Sequence, residues 1–164
     1  MKRLFGHCIL LLCMMGNSSL FAQEETDGFK KNDFYSAMAT GNISTVDKEL
    51  NLLKTAVIVE KNAYEGALLM KKAGLAAGPK NKLDLFKQGH KKLEAVLQKD
   101  STNVEFRLLR LMIQEKSPGI LGYKSELGKD CLFIRNNFKK LPPVAQQAAL
   151  DYSKDSKILK LRDL

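Results

Sequence analysis

From Asp33 onward, apolar residues recur at helical spacing, and the pattern predicts a series of short helices. Phe34 and Met38 share one face of a segment with Asp33 as candidate N-cap and Gly41 as the stop. Val46, Leu50, Leu53 and Val57 follow at i, i+4, i+7 and i+11, behind Ser44 and Asp47, which resemble a capping box. In VEKNAYEGALLMKKAGLAAGP the polar residues Glu60, Lys61, Glu65, Lys71 and Lys72 fall in one arc. Ala63, Gly66, Ala67, Met70, Gly74 and Ala77 fill the opposite arc, which suits a neighbouring helix that approaches closely. Gly inside a helix costs about 1 kcal/mol relative to Ala, so Gly66 and Gly74 imply a packing reason. Gly78-Pro79 ends this helix.

Leu83, Phe86, Leu93 and Leu97 mark the seam of a helix from about Asn81 to Lys99, with Asp100-Ser101-Thr102 as turn and cap. The next segment, NVEFRLLRLMIQ, is apolar on most of its circumference and reads as a central helix, stopped by Ser117-Pro118-Gly119. Tyr123, Leu127, Cys131, Ile134 and Phe138 form a further seam running to Leu141. Pro142-Pro143 opens a last helix through Ala145, Ala148 and Tyr152, because proline is tolerated in a first helical turn. No stretch alternates as a strand would. The expectation is an all-α fold of antiparallel helical hairpins, roughly six to eight helices joined by short connections. Residues 32–152 form one domain, preceded by a flexible lead at 23–31 and followed by a tail at 153–164.

FKQGHKKLEAVLQKDSTNVEF resembles the second helix of a tetratricopeptide (TPR) repeat, its turn and the start of the next repeat. Gly89, Leu93 and Val96 stand at the small, large and small positions before Asp100-Ser101, and AYEGALLMKKAGLA resembles the first helix. The sequence departs from that pattern at Val96, at Ser101, and at Arg107, Arg110 and Gln114. The resemblance covers about residues 61–114 and implies hairpins stacked in a TPR-like, right-handed arrangement, with one recognisable unit. The whole chain is also similar to small exported helical proteins of bacteria, through its GALLMKKAGL and LLRLMIQ segments. That likeness implies no activity.

The first 22 residues change the composition. MKR, the apolar run LFGHCILLLCMM and the small, polar exit ending at Ala22 are the three parts of a secretory signal. The apolar run is shorter than the roughly 20 residues of a membrane span, so no transmembrane segment is expected after cleavage. The expected location is the periplasm or the cell exterior. Cleavage removes Cys8 and Cys13 and leaves Cys131, which has no partner for an internal disulfide. It also removes Lys2 and Arg3, lowering the net charge from +9 to +7. The remaining excess favours an anionic surface or ligand, while export argues against nucleic acid.

One constellation stands out. At 100° per residue Asn103, Arg107, Arg110 and Gln114 lie in a single stripe on the otherwise apolar central helix. Arginine is rarely buried unpaired. The stripe therefore meets water, pairs with acids such as Glu65 or Asp130, or lines a concave surface as a ligand-binding site for a carboxylate or phosphate. Other chemistry is thin. His90 and Cys131 sit on apolar seams and read as structural, and together they cannot supply a zinc site. HExxH, GxSxG, a P-loop and an EF-hand loop are absent. The reading is a non-enzyme with no metal or cofactor, an exported module that binds a protein or peptide partner. The alternative is a small anionic ligand held by the arginine stripe.

Overall fold

The computed structural model describes residues 28–160, and among these the protein is all α. Seven helices follow one another: α1 Lys31–Ala39, α2 Ile43–Thr55, α3 Lys61–Leu75, α4 Pro79–Lys99, α5 Val104–Lys116, α6 Leu127–Asn137 and α7 Pro143–Asp155. Single 3-10 turns stand before α6 and after it. No helix among the described residues is long and apolar enough to cross a membrane. The expected signal segment, and most of the expected lead, lie outside the described residues.

The start signals are partly those expected from the sequence. Pro79 and Pro143 each stand in the first turn of their helices, so Gly78-Pro79 opens α4 as well as closing the hairpin behind it. For α2 the cap is Asn42, whose side chain accepts from the Ser44 and Thr45 N–H groups; Ser44 itself lies inside the helix. Asp33 likewise falls within the first turn of α1. Asn103 caps α5 by accepting from Phe106 N at 3.1 Å, a task the sequence assigned to the preceding turn.

Packing follows an inner and outer division. α1 touches both α3 and α7, and α5 also touches both, so the four odd-numbered helices close a ring. α2 packs between α1 and α3, α4 lies along α3 and reaches α5, and α6 lies on α5. α5 is the centre, with ten of its 13 residues buried. The tightest seam is α3 against α4. A methyl group on Gly66 would stand 2.8 Å from the Gly89 carbonyl oxygen, and one on Gly89 would stand 2.5 Å from the Gly66 oxygen. Gly74 is different, with nothing within 4 Å of a Cβ placed there, so close packing is not the reason for that glycine.

Burial extends past both ends of the expected domain. Phe29 packs among Phe34 and Tyr64, and Leu159 is fully buried.

Candidate functional site

The arginine stripe is engaged inside the protein. Arg110 donates through Nε to Asp130 Oδ2 at 2.6 Å, through Nη2 to Asp130 Oδ1 at 2.8 Å, and through Nη1 to Glu94 Oε2 at 3.0 Å. Arg107 donates through Nη1 to the same Asp130 oxygen at 2.8 Å and through Nε to the Ser101 carbonyl at 2.6 Å. Its guanidinium also lies over the Phe133 ring. Asp130 is fully buried. Burial works against the charge on Arg110, but Asp130 and Glu94 more than offset it and hold its pKa above the ordinary value. Glu94 accepts in turn from the Tyr123 hydroxyl at 2.5 Å. The cluster ties α4, α5 and α6 together, with Asp130 as the expected internal acid, while Glu65 pairs with Lys92. Of the other two stripe residues, Asn103 is the helix cap. Gln114 is buried with its Oε1 unpartnered among the described residues.

Two more carboxylates on α5 act similarly. Glu105 is buried and accepts from the Tyr35 and Tyr64 hydroxyls, both at 2.9 Å, and from Lys31 at 3.2 Å. Desolvation by burial, reinforced by this carboxylate, raises both tyrosine pKa values well above the ordinary 10.0, so the phenols stay neutral donors. Glu115, at the far end, accepts from Tyr152 and Ser156, both at 2.6 Å, and from Lys157 N. The central helix is thus fastened by hydrogen-bonded carboxylates to α1, α3, α7 and the chain beyond α7. Buried polar groups satisfied in this way hold one arrangement of the helices.

The open feature lies elsewhere. A cleft of about 1060 Å³ runs between α1, the ends of α3 and α5, the start of α4, and α7, so every helix of the inner ring contributes a wall. Beyond residue 22 the chain has three methionines, Met38, Met70 and Met112, and all three line this cleft from different helices. Methionine is flexible and polarisable, which suits a wall that adapts to its occupant. The apolar seam of α4 also runs into the space. Leu93 and Leu97 are buried as expected, but Phe86 is half-buried and Leu83 is 41% exposed, because the first turns of α4 overhang the cleft. Ile120, 95% exposed, stands at the rim.

Charge in the cleft is uneven. Lys71 and Lys116 both line it, and no carboxylate among the described residues lies within ion-pair distance of either. Burial, with Lys116 acting in the same direction, lowers the pKa of Lys71. On the α7 wall Asp151 is occupied by Lys154 at 2.6 Å and by Gln147 at 3.1 Å.

None of these cleft residues is a candidate site residue in the sequence, where Met38, Met70, Gly74, Leu83 and Phe86 read as packing positions and Lys71 as part of a polar arc. The available signal was a periodic stripe on α4 that extends further than the core needs. His90 stacks on Phe86 and meets Tyr123 edge-on, and Cys131 is buried. No group of three or more His, Cys, Asp or Glu among the described residues could hold a metal ion. No family model matches the chain, and no curated protein or solved structure proved similar to it.

Proposed function

We propose that this chain is an exported, non-enzymatic helical module that binds an elongated apolar ligand in the cleft. One observation carries the reading: the inner helices, which should bury their apolar faces on one another, leave about 1060 Å³ between them lined by methionines and the α4 seam. A folded chain normally fills such space to near-crystalline density, and the volume matches the upper end of small-molecule sites, roughly 300–1,000 Å³. Hairpins whose odd-numbered helices face one cavity also fit a TPR-like stacking, the arrangement we favour. The test is a titration with the neutral, environment-sensitive dye Nile red. Saturable one-to-one binding by the wild type, lost in Gly74→Phe, supports the reading. Gly74 lines the cleft with open space around its Cβ, so the phenylalanine fills the site without disturbing the seam. Undiminished dye binding in that variant would refute it.

A protein or peptide partner is the second reading, favoured by Ile120 at 95% exposure and Leu83 at 41%, both among the residues that line the cleft. Exposed apolar residues grouped around a concavity mark interaction sites. A photo-crosslinking residue at position 120 that captures one discrete partner in the producing cell, and none when placed at position 139 instead, would favour this reading. Identical capture profiles at both positions would count against it.

A further inference from the structure

We infer that the occupant of the cleft is a long-chain carboxylate, its alkyl chain along the methionine wall and its head group bound by the ammonium groups of Lys71 and Lys116. This inference rests on the reading of the cleft as an apolar-ligand site and adds the chemical class of the ligand.

Three observations support the assignment. The first is charge. Lys71 and Lys116 both line one cavity with no carboxylate among the described residues in ion-pair range, the Lys116 ammonium lying over the Tyr152 ring of the same lining, and Asp151 on the α7 wall is held by Lys154 and Gln147. Lys71 is half-buried, and its pKa is lowered by burial and by Lys116, so an arriving anion acts against both by favouring the charged ammonium. The other ionised wall groups are Lys82 and Asp155, at exposed positions.

The second is the nature of the walls. They are mostly helix faces, whose backbone N–H and C=O groups are used within the helices, completed by the turn that carries Ser117, Pro118, Ile120 and Leu121. An extended peptide pressed to the floor would leave its own amides without partners, which is costly. An alkyl chain carries no such groups. The third is adaptability: Met38, Met70 and Met112 sit on three different helices, so the lining can follow a flexible chain rather than one rigid shape.

The experiment compares oleate, oleyl alcohol and acetate, each displacing Nile red below the micelle concentration. Wild type, Lys71→Met/Lys116→Met, Gly74→Phe and the distant control Lys139→Met are tested, with circular dichroism confirming that each is folded. Oleate should bind one-to-one, about tenfold or more tighter than oleyl alcohol, since hydrogen bonds to charged groups are the stronger kind. Acetate should not displace the dye. The double lysine variant should bind both long chains within about twofold of each other, Lys139→Met should behave as wild type, and Gly74→Phe, which takes up no dye to displace, should show no binding of either long chain by titration calorimetry. Equal affinity for oleate and oleyl alcohol in the wild type would overturn the carboxylate assignment while leaving the apolar site standing. Dye binding without displacement by either long chain, or stronger displacement by an apolar peptide bearing a glutamate, would overturn the ligand class. Failure of Nile red itself would remove the underlying reading as well.

Discussion

Gly66 and Gly89 meet backbone to backbone where α3 lies along α4, so close that neither position has room for a Cβ. The contact sets the spacing of the longest helix pair and, through it, the angle at which the start of α4 overhangs the cleft. Gly66→Ala would bring a methyl within 2.8 Å of Gly89 O and Leu93 N, both backbone atoms that cannot rotate aside. Overpacking of this kind costs about 1–3 kcal/mol, which outweighs the roughly 1 kcal/mol that alanine gains in helix propensity. Gly74→Ala meets nothing and should be neutral or stabilising by up to about 1 kcal/mol. Denaturant midpoints of the two variants should therefore move in opposite directions.

Asp130 is the single carboxylate between Arg107 and Arg110 in a buried cluster. Removing one partner of such a pair strands the other's charge, so Asp130→Ala should cost about 3–5 kcal/mol. Replacing all three with Met, Met and Leu should cost much less, because the stranded charge is then absent. Urea unfolding of the single and triple variants tests this, and a mild Asp130→Ala effect would show that the cluster is not a structural clamp.

Two glutamates predict pH effects of opposite sign. Burial, with the negative field of Asp33, raises the pKa of Glu49 above its ordinary 4.5, and its Oε2 has no hydrogen-bond partner among the described residues. The folded state therefore loses stability as pH rises from the unfolded pKa to the folded one, and the loss persists above it. Glu49→Gln should raise the Tm at neutral pH, with the gain vanishing in acid.

For Glu115, burial acts upward, but the hydroxyls of Ser156 and Tyr152 and the Lys157 N–H more than offset it and lower the pKa. Its contribution is present above the unfolded pKa and disappears as pH falls through the folded one. Glu115→Gln should lower the Tm at neutral pH and leave it unchanged well below that window. Melting curves of both variants across pH 3 to about 7 check the signs.

The periodicity of apolar positions carried the all-α fold and the central place of the NVEFRLLRLMIQ segment, because a helix buried on most sides must be apolar on most sides. Gly66 was legible as a close-packing glycine, since its helix had small residues on one arc. Gly74 belonged to the same arc and was misread, because spacing records which residues share a face and not where the neighbouring helix ends. The arginine stripe was visible as a constellation, but its partner Asp130 lies 20 residues away from Arg110 and on another helix. The cleft was hidden for the same reason. Met38, Met70 and Met112 converge only through the packing of α1, α3 and α5, and Lys71 looked like one member of an ordinary polar arc.

Those three methionines allow the cleft to be observed directly. With ¹³C-methyl methionine labelling, oleate should shift the signals of Met38, Met70 and Met112 together, saturating at one equivalent, and Gly74→Phe should abolish the response. Three methyl signals that stay fixed while oleate binds, or that move independently with no common saturation, would contradict the assignment of the cleft as the binding site.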